Sequence, residues 1–390
     1  MKGSFPIEKF ASERTPFYYY DINLLRTTLA ELGNALTSTY ETANIKQVHF
    51  ALKANFNPEL LNIIAHYGLG ADCATGGEIR FALNAGIPPS AIVFTGVGKR
   101  EEDIRLAVSL GIGRFNVESV AELEVINEIA TSMKKRASFS FRVNPDMGAY
   151  SYANVTTGMT ENKFGIHHSM LADAVTAAKK MRSVRLCGLH FHIGTQILDT
   201  SDYIPLCNRI NQCLELLKTM QVTIKDINVG GGLGIEYEHP NHRPVADFTS
   251  YFQVFKKHLR TDLPIHFELG RSIVAPCGAL ISKVLYVKEG LHHNFAIIDG
   301  SMTELIRPAL YSAYHRIENI TSDEPEQEYD VVGPISEHSD VFGKSVMLNR
   351  CHRGDYIAIR SAGAYGESMA SHFNCRPLPK AFFSDDNLNS

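Results

Sequence analysis

Apolar runs of five to eleven residues alternate with segments whose apolar positions fall three and four apart, and this alternation organises the first two-thirds of the chain. The clearest run is VHFALKA, residues 48–54. It is apolar and β-prone from Val48 to Leu52, ends on Lys53, and passes through Asn55 and Asn57 into the helical pattern PELLNIIAHYG. Such a segment reads as a buried parallel strand feeding a helix. Seven similar runs follow: GADCAT (70–75), IVFTG (92–96), RFNVES (114–119), SFSFRVNP (138–145), VRLCGLHFHIG (184–194), IKDINVGGG (224–232) and IHFELG (265–270). Between them lie helical patterns such as GGEIRFALNAG, VAELEVINEIA and YIPLCNRINQCLELLKTM. Strand and helix alternating eight times predict a closed parallel barrel, with a doubly wound open sheet as the alternative.

Past residue 271 the period changes from helical to alternating. GALISKVLYVKEG, LHHNFAIIDG, YDVVGP and RGDYIAIRSAG read as paired strands of a β domain, and the acidic SDEPEQEYD between them reads as a solvated connection. Near the N-terminus, TPFYYYD (15–21) looks like a strand with no obvious partner nearby. The polar stretch DMGAYSYANVTTGMTENKFG is longer than a connector requires and is a candidate lid.

Composition narrows the function classes. With 390 residues, 44% hydrophobic and 21% charged, the chain can bury a large core and divide into a big and a smaller domain. A net charge of −4 without a basic run argues against nucleic acid or an anionic membrane as partner. The first residues, MKGSFPIEKF, lack the apolar core of a secretory signal, and no uninterrupted apolar span is long enough to cross a bilayer, so a cytoplasmic location is expected. Seven cysteines without a CxxC pair fit reduced thiols.

A barrel gathers its chemistry at the C-terminal ends of its strands. Those ends carry Lys53, Asp72 with Cys73, Asn116 with Glu118, Arg142 with Asn144, the HFHIGTQ segment, the triple glycine 230–232, and Glu268 with Arg271. Lys53 is either a snorkelling surface lysine or a desolvated amine able to act as a nucleophile. The triple glycine is either a tight turn or a phosphate cradle of bare N–H groups. His190 and His192 point to one face and could join Glu268 around a metal. A metal-dependent barrel of the amidohydrolase kind would want its HxH on the first strand, where this chain has lysine, so no metal is assigned. The pairs His167–His168 and His292–His293 fall in connectors and read as solvated. A lysine, a glycine cradle, a flat histidine and a carboxylate together suit pyridoxal 5'-phosphate, whose ring nitrogen needs an acidic partner; Glu268 is the candidate.

The motifs FALKAN, DCATGGEI, HFHIGTQ, NVGGGLGI, FELGRS, LIRPALY, GPISEHSD and SAGAYGESMAS resemble, in order and over nearly the whole chain, the fold-type III pyridoxal-phosphate decarboxylases, most closely the branch that acts on diaminopimelate. The resemblance implies an α/β plus β fold: an eight-stranded parallel (β/α) barrel over residues 22–272 with a second, smaller β domain formed by 1–21 and 273–390, completed by the N-terminal strand. It implies a homodimer with shared active sites, a small amino acid substrate, and decarboxylation of meso-diaminopimelate to L-lysine and carbon dioxide in lysine biosynthesis.

Carried over by motif, Lys53 resembles the Schiff-base lysine and His192 the histidine stacked on the cofactor ring. Glu268 resembles the pyridinium partner, with Leu269 where most relatives have proline. Asp72 joins the cofactor set, and Gly230, Gly231, Gly232, Thr195 and Tyr365 resemble the phosphate site. Arg271, Arg307, Tyr311 and Tyr365 are similar to substrate contacts, and Glu337 to the residue that reaches the other subunit's substrate. An arginine such as Arg307 favours a diacid, because a planar fork recognises a distal carboxylate. Relatives carry cysteine at Ser336, GPICES, where the thiol acts near the reacting carbon of the partner's site. Here either serine serves, or the chain is impaired or altered. Two other readings stay open: a different basic amino acid decarboxylase or racemase of the same fold type, against which Glu268 speaks for the racemase, and a regulatory relative without turnover, against which Lys53 speaks.

Overall fold

In the computed structural model, residues 5–147 and 163–385 are described. Most of the candidate lid therefore lies outside the described residues. The chain divides into two compact units, Leu29–Gly234 with Asp247–Gly270, and Met1–Thr28 with Ile235–Ala246 and Arg271–Ser390. The division expected from the sequence, at 22 and 272, differs in two places. Helix Ile22–Thr39 runs across the junction at Thr28, and the excursion 235–246 leaves the barrel unit after the triple glycine.

The first strand, β1 (Phe17–Tyr20), belongs to the second unit. The barrel strands are β2 (Val48–Ala51), β3 (Gly70–Cys73), β4 (Ile92–Phe94), β5 (Arg114–Val117), β6 (Ala137–Asn144), β8 (Val184–His190), β9 (Asp226–Asn228) and β10 (Ile265–Leu269), with a two-residue β7 (Ile166–His167) beside β6. All pair in parallel. β10 pairs with β2, Phe267 opposite Val48 and Leu269 opposite Phe50, and β5 pairs with β6, so the sheet closes into a ring of eight. Nearly every residue of these strands is buried, as expected for strands with side chains inside the ring and under helices. The helices start on side-chain caps that the sequence supplies: Asn57 accepts from Glu59 N–H, Thr75 from Glu78 N–H and Ser119 from Glu122 N–H. Tyr203, Tyr251, Phe255 and Phe267 pack edge to face or tilted between strand and helix layers.

Polar residues also fill the ring. Arg114 is ion-paired with Asp226, and the His49 and His266 rings stack 5.2 Å apart with Nε2 and Nδ1 at 2.9 Å. The Nδ1 of His49 faces the Ala91 carbonyl at 3.2 Å. Burial, with His266 adding to it, pushes the His49 pKa down to about 3, so the pair is neutral at ordinary pH.

In the second unit, β11 (Gly278–Glu289), β12 (Asn294–Ile298), β13 (Ile317–Asn319), β14 (Glu326–Val332), β15 (Val341–Asn349) and β16 (Tyr356–Ile359) form a mixed sheet in the order β13-β16-β11-β12-β14-β15, extended through β1 to β17 (Lys380–Phe383). β1 finds its partners here, antiparallel to β11 and parallel to β17. Phe10, Phe17, Tyr19, Ile281 and Ala358 close a core around that junction. The acidic segment is a correction to the sequence reading. Glu326–Asp330 is the start of β14 and pairs with β15, with residues 326–328 exposed and Tyr329 buried, so an exposed, charged strand end was read as a loop. Among the described residues, no helix is long and apolar enough to cross a membrane.

Candidate active site

The strand ends of the barrel deliver a connected constellation. Lys53 lies in the single turn Leu52–Ala54 just after β2, flanked by buried Leu52 and Ala54, and is itself exposed. Of the two readings open from the sequence, the exposed lysine is the one observed and the desolvated amine is not. Its field is instead felt by charged and polar neighbours: Asp72 and Glu78, whose pKa values it lowers, and His192.

Glu268, next to last in β10, is the centre of the mouth. Its Oε1 accepts from Asn228 Nδ2 at 2.7 Å and Asn116 Nδ2 at 3.0 Å, and its Oε2 from His190 Nε2 at 2.8 Å. These donors come from β9, β5 and β8, so the carboxylate is held from three strands. Burial alone would raise its pKa. The His190 charge and hydrogen bond, then His49 and His192, outweigh burial and bring the carboxyl down to about 2. Asp72 is pushed the other way, to about 7, by burial and then by Glu268, against Lys53 and the 2.6 Å hydrogen bond from Thr95. Thr95 in turn accepts from Asn116 at 2.9 Å, so the two carboxyls are joined by a hydrogen-bonded chain. One buried anion and one readily protonated acid stand side by side.

After β9 the chain needs glycine at three successive positions. A Cβ on Gly231 would stand 1.8 Å from the Glu268 carbonyl oxygen, one on Gly230 2.3 Å from the Phe191 carbonyl oxygen, and one on Gly232 2.7 Å from that of Gly194. Gly230 and Gly232 also have φ of 76° and 100°. Tyr203 and Tyr251 hydroxyls donate to the carbonyls of Gly231 and Gly230, which fixes the turn from below. The Gly231 N–H points to His192 Nδ1 at 3.4 Å. Burial first, then Lys53 and Arg142, hold the His192 pKa well below its usual value, so its imidazole is neutral and apolar-faced. Thr195 lies exposed on the loop just beyond. A bare-backbone turn, a buried anion and a primary amine are the donor set that a phosphorylated pyridine aldehyde requires, and these residues fit pyridoxal phosphate.

In the second unit, Arg271 opens the short helix after β10 and Arg307 opens helix Arg307–Tyr311, both buried. Tyr237, from the excursion 235–246, links them: its hydroxyl accepts from Arg271 Nη1 at 2.7 Å, and the Arg307 guanidinium lies 5.1 Å over its ring. Arg271 also lies 5.0 Å over the ring of Tyr365. Arg307 Nη1 meets His315 Nε2 at 2.7 Å, and His315 Nδ1 meets the Arg360 carbonyl at 2.8 Å. A carbonyl can only accept, so Nδ1 carries the proton and Nε2 accepts from arginine. Burial and then Arg307 push the His315 pKa to about 3, which keeps it a neutral acceptor. Among the described residues no acid is ion-paired with Arg307.

Tyr311, on the same helix, is exposed. Ser336 and Glu337 are exposed on the turn between β14 and β15. Buried Asp340 shapes that turn by accepting from Met302 N–H at 2.7 Å and Ile335 N–H at 3.2 Å. The His167–His168 pair is half-buried rather than solvated. His167 faces Asp146 and His168 lies 3.2 Å from Arg209 Nη1, a cation where a metal would want a free ligand. Sequence reading missed Thr95, Asn228, Tyr237, His315 and Asp340, and weighed His190 only as a metal ligand. The one usable signal was a polar residue inside an otherwise apolar strand, as at Asn228 and His190.

A parallel barrel with an amine, a buried carboxylate and a glycine cradle at its mouth has the features of a barrel-type pyridoxal-phosphate enzyme. Residues 29–275 match the family described as "Pyridoxal-dependent decarboxylase, pyridoxal binding domain". The chain is 55% identical over 388 residues to the diaminopimelate decarboxylase of Bacteroides thetaiotaomicron, covering 99% of this chain and 100% of the relative. It is 38% identical to that of Zymomonas mobilis, covering 96% and 88%. The crystal structure of diaminopimelate decarboxylase from Helicobacter pylori complexed with L-lysine superposes with a TM-score of 0.90 at 37% identity, covering 98% of this chain and 94% of that one. The chain belongs to the diaminopimelate decarboxylases of the pyridoxal-dependent decarboxylase family.

Proposed function

We propose that this chain removes the carboxylate from the D-configured end of meso-diaminopimelate, giving L-lysine and carbon dioxide, with the following division of labour. Bound pyridoxal phosphate supplies the electron sink for the pair left behind when the carboxylate departs. Lys53 Nζ is the amine that would hold the cofactor's aldehyde. Glu268, an anion with three donors, keeps a proton on the ring nitrogen. The neutral His192 imidazole would lie against the ring face, and the 230–232 turn with Thr195 would receive the phosphate. Asp72 stands beside Lys53 as a carboxyl that can hold or release a proton near neutral pH.

Arg271 and Arg307, with Tyr311, bind the substrate's distal carboxylate. The observation that carries this reading is Arg307, a buried guanidinium whose partners are a neutral histidine and Tyr237, with no acid ion-paired to it among the described residues. Desolvation lowers its pKa, Tyr237 opposes that and Arg271 adds to it, so an incoming carboxylate relieves an unpaired charge. Ser336 and Glu337, exposed on a turn stiffened by Asp340, serve the active site of a second subunit in a homodimer. All seven cysteines are free thiols, which agrees with a cytoplasmic location.

The test is carbon dioxide release from diaminopimelate, lysine, ornithine and arginine by the purified holoenzyme. Release from diaminopimelate alone, lost in Arg307→Met with a large rise in KM, is the expected result. Equal turnover of lysine or ornithine would overturn the diacid assignment.

A further inference from the structure

His190 is left over once the roles above are assigned. It sits at the end of β8, fully buried, two residues before His192, and its Nδ1 has no hydrogen-bond partner among the described residues. A buried ring nitrogen without a partner is unfavourable, and a leucine or phenylalanine would fill the same space without that cost. What distinguishes histidine here is Nε2, 2.8 Å from Glu268 Oε2. Because a carboxylate can only accept, Nε2 carries the proton, and the ring is anchored to the one oxygen of Glu268 that neither asparagine reaches.

We propose that His190 is the positioning residue of Glu268, holding it ionised and aimed so that the ring nitrogen of bound pyridoxal phosphate stays protonated; this rests on the assignment of Glu268 to that nitrogen. Three features support the division of labour around the carboxylate. Asn116 and Asn228 both engage Oε1, so among the described residues His190 alone donates to Oε2. The other ionisable groups facing Glu268 are Asp72, which disfavours its charge, and His49 and His192, which favour it less than His190 does. Burial on its own favours the protonated acid. A protonated Glu268 would offer the ring nitrogen a hydroxyl hydrogen instead of a negative oxygen, and the ring would lose its proton and with it the capacity to draw electrons.

The experiment uses the holoenzyme loaded with pyridoxal phosphate carrying 15N in the ring, in the parent and in His190→Leu and His190→Gln. The glutamine amide reaches about as far as Nε2 and can donate to Oε2; leucine cannot. The 15N shift reads ring protonation directly, without turnover. Parent and His190→Gln should show a protonated nitrogen and His190→Leu an unprotonated one, with kcat reduced on the order of 100-fold in the leucine variant and KM within about threefold, the signature of an interaction made mainly in the transition state. A protonated nitrogen in His190→Leu would overturn the role of His190 while leaving Glu268 in place. An unprotonated nitrogen in the parent would instead overturn the assignment of Glu268, and the proposal with it. Should the leucine variant not accumulate as folded holoenzyme, His190→Asn, whose amide is too short to reach Oε2, carries the same expectations and is read the same way.

Discussion

Replacing Gly231 by alanine should damage cofactor binding more than any other single methyl group added to the barrel. The new Cβ would be placed 1.8 Å from the Glu268 carbonyl oxygen and 2.9 Å from its carbonyl carbon, against the 3.4 Å at which ordinary contact begins. Both obstructing atoms are backbone, so no side chain can rotate away. β9 and β10 must part at this point, and the bond from Glu268 N–H to the Gly230 carbonyl, 2.8 Å, lies directly in the path. Overpacking of this kind costs about 1–3 kcal/mol, and the lost backbone bond adds about 1 kcal/mol. The displacement also carries the Glu268 side chain off its three donors, so the phosphate cradle and the ring partner are disturbed together. We expect cofactor affinity to fall on the order of 100-fold, equivalent to about 2.7 kcal/mol, and Tm to fall by several degrees. Equilibrium titration of the apoenzyme with pyridoxal phosphate, followed by absorbance, measures the first, and a thermal melt the second. Gly33→Ala is the control: it lies in helix Ile22–Thr39 with nothing within 4 Å of the added methyl, and should be neutral or stabilising by up to about 1 kcal/mol. A Gly231→Ala enzyme that binds cofactor within threefold of the parent and melts at the same temperature would show that the turn can open without consequence, and the argument from close packing would fail.

Three further outcomes are expected. Lys53→Ala and Glu337→Ala, each inactive alone, should regain partial turnover when mixed under conditions of subunit exchange, because a hybrid dimer rebuilds one intact site; no recovery despite demonstrated exchange would mean that each site is complete within one chain. Ser336→Cys should raise kcat about tenfold with little change in KM, since a thiol with a pKa of about 8.5 delivers a proton far more readily than a hydroxyl; an unchanged rate across the pH range would remove the donor role from this position. His49 and His315 are both held near a pKa of about 3, below the usual histidine value, so their neutral forms contribute stability above about pH 6.5 that is lost as pH falls toward 3. Urea unfolding should accordingly show stability declining between pH 6.5 and 5 by about 1.4 kcal/mol per pH unit per histidine as an upper bound, and a His49→Gln variant should show a shallower decline; identical slopes would contradict the linkage.

Much of this architecture is legible in the chain's local pattern. The period of the apolar positions specifies strand or helix, and eight alternations specify a parallel ring whose C-terminal rim must carry the chemistry, which is why Lys53, Asp72, His192, Glu268 and the triple glycine stood out. Their roles came from motif resemblance, which local sequence retains. Contacts made across the ring left no such trace. The donors that surround Glu268 come from residues 40, 78 and 152 positions away in the chain, and nothing in the spacing of Asn228, His190 or Asn116 says that closure of the ring will bring them to one carboxylate. The same holds for Tyr237, placed beside Arg271 and Arg307 by an excursion of 12 residues that sequence assigned to the barrel, and for β1, whose partners lie more than 250 residues downstream. Exposure depends on tertiary neighbours: of the two readings open for Lys53 the exposed one is observed, and Glu326–Asp330, read as a loop, is the start of a strand. Periodicity and turn chemistry are local properties of the chain, readable from it directly. Hydrogen bonds between strands, burial and the pKa shifts that follow are properties of pairs brought together only by folding, and for this protein they decide which acid is ionised, which histidine is neutral and which arginine waits for a carboxylate.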